Sequence, residues 1–168
     1  MRSSREQRAW YFYDWANSGY VTTTGTVLFG PYLTEVAKTA AGCPSDGLCQ
    51  NRLHVLGIAL APGSVFFYAV TFATLFSAVL LPVLGAIVDR RGDKRRLLAL
   101  FAWIGATAAA SMFFVSGANW GLGVALLVVA NLALGASLVV YDAILIDIAV
   151  PDDRDRVSSR GWAFGYAG

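Results

Sequence analysis

The chain has 168 residues, of which 57% are hydrophobic and only 14% are charged, and its net charge at pH 7 is +2. Its mean hydropathy is +0.56. A soluble domain has about 25% charged and about 45–50% apolar residues, so this composition excludes an ordinary soluble domain, and the small net charge does not indicate a nucleic-acid-binding protein. We therefore predict an all-α fold, a polytopic helix bundle embedded in a membrane.

Four apolar runs follow one another along the chain. A helix needs about 20 mainly apolar residues to cross about 30 Å of hydrocarbon. The runs that meet this length are residues 10–33, 64–88, 97–116 and 120–148. A fifth run, 158–168, is the start of a further span but is too short to cross. The remaining segments are predicted to be a tail at 1–9 and loops at 34–63, 89–96, 117–119 and 149–157.

The first predicted span carries a polar stripe. The side chains that form it at helical spacing are Asp14, Asn17, Ser18 and Thr22. An ionisable side chain costs about 2.5–3.5 kcal/mol at the centre of a membrane helix, so the stripe predicts a wall of a polar substrate pathway. Asp14 would then bind a substrate ammonium, accept a proton or close a gate. The alternative is an aspartate that reaches interfacial water or caps a helix.

The long loop 34–63 contains the two cysteines of the chain, Cys43 and Cys49. On an oxidising face of the membrane they would form a disulfide that closes a small turn, and the alternative is two free thiols. The single histidine, His54, does not complete a usual set of zinc ligands with them. No metal site and no cofactor are therefore expected.

The loop after the second span reads GAIVDRRGDKRR, from Gly85 to Arg96. A glycine at position 85 permits close approach of a neighbouring helix. Asp89, one turn later on the same face, would cap or pair with the N-terminus of a neighbouring helix. Gly92 permits a sharp turn before the basic residues that follow.

Charge asymmetry predicts the orientation of the helices. All but two of the 13 Lys and Arg residues lie in the tail, in the loop 89–96 or after the fourth span. Arg2 of the tail and Arg91 of the loop are among these eleven residues. The exceptions are Lys38 and Arg52, in the long loop. Because Lys and Arg concentrate in cytoplasmic loops, we expect a cytoplasmic N-terminus and a multi-pass protein of the plasma (inner) membrane.

The fourth predicted span also carries polar residues. Asn131, Gly135 and Asp142 share one face by their spacing. We predict Asn131 and Asp142 as further pathway residues, with Asp142 acting as a gate or as a site residue. Asp147, nearer the end of the span, is predicted to be an interfacial charge.

The motif from Gly85 to Arg96 resembles the loop signature G-x-x-x-D-R-x-G-R-R of the major facilitator superfamily. The matching residues are Gly85, Asp89, Arg90 and Gly92, with Lys94 and Arg95 as a basic pair shifted by one position. The resemblance implies a twelve-helix fold built from two six-helix halves, of which this chain would hold the first four to five helices. It also implies a gate that joins the two halves on the cytoplasmic face.

Two further segments resemble one branch of that superfamily, which includes the vacuolar amino-acid effluxer associated with autophagy and its bacterial relatives. They are DWANS, from Asp14 to Ser18, and RVSSRGWAFGYAG after the fourth span. The resemblance implies a secondary transporter, not an enzyme, that moves a small polar solute such as an amino acid by alternating access. Its partners would be the lipid bilayer, the solute and the remaining helices of a longer transporter, with no nucleic acid.

The sequence departs from the pattern of this branch in the fourth span. Asp142 stands where relatives more often have asparagine, and Ile146 where they have proline. Asn131 stands where many proton-coupled members have an arginine, which weakens an expectation of proton coupling by that arrangement.

Two alternatives remain at this level. One is a dimeric four-helix exporter in which Asp14 exchanges protons for drug-like cations. The run 158–168 and the basic loop count against it. The other is a membrane scaffold without transport, and the polar stripe of the first span counts against that.

Overall fold

The computed structural model describes residues 4–44, 49–55, 57–90 and 92–168. The helices are α1 (Arg5–Gly19), α2 (Phe29–Ala40), α3 (Val65–Arg90), α4 (Lys94–Ser111), α5 (Trp120–Ile148) and α6 (Arg154–Tyr166). A π-helical segment, Tyr20–Leu28, joins α1 to α2, and 3₁₀ turns occupy Pro62–Ser64, Met112–Phe114 and Pro151–Asp153. Arg2 and Arg91, which count in the charge tally, lie outside the described residues.

Three described helical stretches are long and apolar enough to cross a membrane. They are Pro62–Arg90, Lys94–Phe114 and Trp120–Ile148. The predicted spans 64–88 and 120–148 lie within them, and span 97–116 extends two residues beyond Phe114. The most apolar part of each stretch differs in how much of it is buried inside the bundle. The buried share is 39% in α5, 11% in the α4 stretch and 6% in the α3 stretch. The helix α5 is therefore the central helix of the bundle.

The predicted first span, 10–33, lies in a continuous helical run that changes its hydrogen bonding. The chain is α-helical to Gly19, π-helical from Tyr20 to Leu28 and α-helical again to Ala40. In a π-helix each N–H bonds five residues back instead of four. Because α1 has 15 residues and α2 has 12 residues, neither is long enough to span alone, and the first span stays a prediction.

The first helix begins inside the predicted tail because Ser4 caps it. The Ser4 hydroxyl accepts a hydrogen bond from the Gln7 N–H at 3.1 Å, and the Ser4 N–H donates to Gln7 Oε1 at 3.2 Å. This reciprocal pair provides hydrogen-bond acceptors for two backbone N–H groups at the start of the helix. At the other end of the chain, α6 begins at Arg154, four residues before the predicted fifth run.

The predicted loop 34–63 has more structure than the sequence indicated. The helix α2 extends into it as far as Ala40, and two short strands, β1 (Leu53–Val55) and β2 (Ile58–Leu60), pair antiparallel. Three residues per strand are too few for an alternating pattern to be recognised in the sequence. Cys43 and Cys49 form a disulfide with their Cα atoms 5.2 Å apart. His54 lies exposed in β1.

Of the three buried hydrophobic clusters among the described residues, the two larger lie towards opposite ends of the bundle. One joins α2, α3, α4 and α5 through buried residues that include Phe29, Leu33, Ala69, Met112 and Leu127. The other joins α1, α3, α5 and α6 through Trp10, Tyr11, Val88, Val140, Tyr141, Ile144, Ala149 and Val157. The second core lies at the end where α3 meets α4, which we call the basic end because it carries Arg90, Lys94 and Arg95.

Candidate functional site

A groove of about 760 Å³ runs between the first helix, α5 and α6. Its polar lining comes from Asp14, Asn17, Ser18, Thr22 and Thr23 of the first helix, from Tyr141 and Asp142 of α5, and from Ser158 of α6. All four members of the predicted stripe therefore line one space, and Asp142 of α5 lines the same space.

Asn131 does not line this groove. The wall that α5 contributes extends from Leu134 to Leu145. Asn131 lies beyond the Leu134 end of that wall, where Gly135 already packs close to Leu81 of α3. Helical spacing placed Asn131 and Asp142 on one face but contains no information about where along α5 the groove ends.

Small residues on α6 bring it close to α1. A Cβ at Gly161 would overlap the Trp10 ring, and a Cβ at Gly165 would lie 2.7 Å from Asp14 Oδ2 and 3.2 Å from Ser18 Oγ. These two glycines are four residues apart, so they lie on one face of α6 and allow helix backbones to approach closely. The groove therefore has a wall from α6 because neither position carries a side chain. This Gly-x-x-x-Gly spacing is the signal that our sequence analysis missed.

An aromatic stack joins α1 to α5 beside the groove. The Trp10 ring lies on the Tyr141 ring with centroids 4.1 Å apart, and Tyr13 covers Tyr141 with centroids 5.5 Å apart. The Trp10 indole N–H also donates to the backbone carbonyl of Tyr141 at 3.0 Å. Trp10 and Tyr141 are both buried, and their rotamers are held by these contacts.

The groove carries negative charge without a basic counterpart. Asp14 and Asp142 belong to none of the ion pairs found among the described residues. No lysine, arginine or histidine is among the described residues that line the groove. An ionised carboxylate only accepts hydrogen bonds, so both groups are suited to bind a donor or a cation.

The polar wall of the first helix continues into its π-helical segment. Thr22 and Thr23 are adjacent in sequence, yet both line the groove. The Thr26 hydroxyl bonds back to the carbonyl of Val21, five residues earlier, at 3.0 Å. Short π-helical stretches within α-helices occur frequently at functional sites.

A second cavity of about 250 Å³ lies between the first helix, α4 and α5. Asn17 and Leu134 line both this cavity and the groove. The Asn17 amide nitrogen and the hydroxyls of Tyr13 and Tyr20 are buried without a hydrogen-bond partner among the described residues. Asn17 therefore lies between the groove and the second cavity, and its amide NH₂ group donates no hydrogen bond to any described residue.

The basic loop is tied to the ends of two other helices. Lys94 Nζ lies 2.9 Å from Asp147 Oδ2 and donates to the backbone carbonyl of Ala143 at 3.0 Å, both on α5. Arg95 pairs with Glu6 of α1 at 2.5 Å. We call these two ion pairs the basic-end clasp. It holds the beginning of α4 against α1 and α5.

Other members of the motif have different surroundings. A Cβ at Gly85 would lie 3.8 Å from Val139 Cγ1 on α5, an ordinary contact distance, so α3 and α5 lie near each other there. The N-cap of α4 is Asp93, which accepts from the Arg96 N–H at 3.4 Å, whereas Asp89 is exposed at the end of α3. Asp89 and Arg90 are in no ion pair among the described residues. Gly92 has no positive φ, unlike Gly42, Gly57 and Gly117.

Residues 2–153 match the model of a family described as vacuole effluxer Atg22 like. A protein of Bacillus subtilis, named an uncharacterized MFS-type transporter YxiO, is 27% identical over 168 residues, which cover 99% of this chain and 36% of that protein. Autophagy-related protein 22 of Gibberella zeae is 31% identical over 157 residues, which cover 85% of this chain and 24% of that protein. The chain thus spans 24–36% of the length of these relatives. No solved structure matches it.

Proposed function

This chain belongs to the vacuole effluxer Atg22-like family, and on that premise we propose that it forms part of a secondary transporter that moves a small polar solute by alternating access. We further propose amino acids as the first solutes to examine. The observation that carries the proposal is the groove into which Asp14, Asn17, Ser18 and Thr22 converge with Asp142.

The size and chemistry of the groove support this proposal. Its volume of about 760 Å³ lies within the range of about 300–1,000 Å³ that small-molecule sites occupy. Polar and ionisable side chains on membrane helices are unfavourable unless they face a wet cavity or a partner. A solute pathway explains why the first helix keeps a polar face, since a lipid-facing helix would not tolerate it.

We assign distinct roles to the polar residues of this groove. Asp14 and Asp142 supply negative charge from facing walls, whereas Asn17, Ser18 and Thr22 supply uncharged hydrogen-bonding groups along one wall. Asn131 lies beyond the groove and takes no part in the proposed site.

The basic-end clasp supports a gate in the proposed cycle. Lys94 with Asp147, and Arg95 with Glu6, connect the start of α4 to α5 and α1, the same two helices that form facing walls of the groove. Movement of these walls relative to each other would strain or break the clasp. We therefore propose that the motif from Gly85 to Arg95 gates the basic end of the pathway.

The charge distribution supports a cytoplasmic location for the basic end and the N-terminus. We place the transporter in the plasma membrane, with the disulfide of Cys43 and Cys49 on the outer side. The lipid bilayer, the solute and further helices encoded with this chain would be its partners.

Uptake by proteoliposomes tests the proposed function. The full-length gene product would be reconstituted and offered radiolabelled amino acids, alongside an Asp14→Asn variant and an Asp152→Asn control. Asp152 is exposed outside the groove, so it receives the same chemical change without touching the pathway. We expect Asp14→Asn to reduce uptake by about tenfold or more and Asp152→Asn to leave it unchanged. Equal uptake by all three proteins would remove Asp14 from the pathway, and no uptake of any solute would refute the proposed function.

A further inference from the structure

Two carboxylates face one groove from different helices, although they are far apart in the sequence. Asp14 belongs to α1 and Asp142 to α5, and both line the same space. Neither is in an ion pair among the described residues, and no described lining residue is basic. The groove therefore holds two carboxyl groups that no basic side chain in its described walls neutralises.

A buried hydroxyl next to these carboxylates also has no partner. Tyr141 is 4% exposed, and its hydroxyl makes no hydrogen bond within the described part of the chain. Tyr141 lines the same groove as Asp14 and Asp142. Buried polar groups are nearly always hydrogen-bonded in native proteins. An oxygen held rigidly by ring stacking, yet unpaired, indicates a position for a hydrogen-bonding ligand.

We propose, building on the proposed transport function, that this groove selects aliphatic solutes with net positive charge, such as linear diamines and basic amino acids. An ammonium group donates up to three hydrogen bonds, which suits two carboxylates and an accepting phenol oxygen. A solute with one net positive charge leaves the site with one uncompensated negative charge, and a dication leaves none. A zwitterion leaves both charges, and an anion adds to them, which is unfavourable because like charges repel.

The rest of the lining suits the carbon chain of such a solute. Leu134, Leu138 and Leu145 line the α5 wall, and Val21 lines the wall of the first helix. Methylene groups between two ammonium groups would contact these side chains while the charges remain near Asp14 and Asp142. The predicted order of preference is therefore dication, monocation, zwitterion and anion.

Binding and transport are measured separately so that the two proposals can fail separately. Trp10 and Trp162 line the groove, so tryptophan fluorescence of the purified full-length gene product reports its occupancy. The ligands are 1,4-diaminobutane, lysine, leucine and glutamate. The same four solutes, radiolabelled, are then offered to proteoliposomes.

We expect 1,4-diaminobutane and lysine to bind and to be taken up in preference to leucine and glutamate. In Asp142→Asn, the affinity for both cations should fall by about tenfold to a hundredfold, as expected for one lost charge-assisted contact. Tyr141→Phe should weaken cation binding less, because it removes only the uncharged hydroxyl. Asp152→Asn is the matched control and should bind as the parent does.

Selection of cations is overturned if leucine or glutamate binds better than the cations, or if Asp142→Asn leaves the charge preference unchanged. Transport of leucine without transport of cations would overturn it and leave the proposed function standing. Binding of cations without uptake of any solute would retain the charge selectivity and refute the transport function. Elution as a single species in size-exclusion chromatography verifies that each variant is folded.

Discussion

The indole ring of Trp10 lies flat on the phenol ring of Tyr141, with ring centroids 4.1 Å apart and planes only 6° apart. The same indole donates its N–H to the backbone carbonyl of Tyr141 at 3.0 Å. These two contacts join α1 to α5 directly beside the groove. They hold Tyr141, which lines the same groove as Asp14 and Asp142 and whose hydroxyl has no hydrogen-bond partner among the described residues.

Replacement of Trp10 tests how much this contact stabilises the bundle. Trp10→Ala removes a large buried aromatic side chain, so we expect a loss of about 3–5 kcal/mol in the free energy of unfolding. Trp10→Phe retains a ring but loses the N–H, and should cost about 1–2 kcal/mol. Trp103→Ala is the control, because Trp103 is 72% exposed and outside both main cores. Unfolding of the purified protein in detergent measures all three, and equal losses for Trp10→Ala and Trp103→Ala would contradict this role.

The close approach of α6 to α1 depends on Gly165. In Gly165→Ala the new methyl group would lie 2.7 Å from Asp14 Oδ2, so either the carboxylate or α6 must move. We expect a destabilisation of about 1–3 kcal/mol, typical of overpacking at a tight contact. Gly121→Ala makes the same change in α5, where no atom lies within 4 Å of the new Cβ, and should be neutral or stabilising. Unfolding midpoints compare the two variants, and similar shifts for both would show that Gly165 is not a contact point.

The ion pair of Lys94 with Asp147 should stabilise the basic end more than an exposed pair does. The Lys94 side chain is 18% exposed, and it also bonds to the Ala143 carbonyl. A double-mutant cycle with Lys94→Met and Asp147→Asn should give a coupling energy of about 0.5–1 kcal/mol.

The pair Lys38 and Glu35 provides the comparison for this cycle. Its side chains are 40% and 68% exposed, so the corresponding coupling should be about 0.3 kcal/mol or less. A coupling for Lys94 and Asp147 no larger than that value would argue against a clasp at the basic end.

Labelling by water-soluble maleimides tests whether the polar stripe borders water. We expect Asn17→Cys and Thr22→Cys to react in the membrane-embedded protein, because both positions line the groove and thiolates form only where water is present. Leu75→Cys, at a side chain that is 66% exposed on the apolar face of α3, should be protected by lipid. Cys43 and Cys49 are disulfide-bonded and do not contribute a background. Protection of both stripe positions in the intact assembly would refute the pathway.

Local signals in the sequence correspond to local features of the structure. The apolar runs 64–88 and 120–148 lie within observed helices, because about 20 consecutive apolar residues specify a membrane helix by composition alone. The polar stripe of the first helix lines one space because helical periodicity assigns faces. The predictions were least complete for the π-helical segment, whose change of hydrogen bonding has no periodic signal, and for the short strands Leu53–Val55 and Ile58–Leu60.

The sequence by itself determined an all-α membrane bundle, the polar face of its first helix and a basic loop between α3 and α4, since all three follow from local composition and period. Only the tertiary structure decided that Asp142 faces Asp14, that Lys94 pairs with Asp147, and that Asn131 lies outside the groove. These relations depend on the distance between two packed helices and on their relative positions along their axes. That is set by contacts such as Gly165 on Asp14 and Trp10 on Tyr141, between residues more than a hundred positions apart.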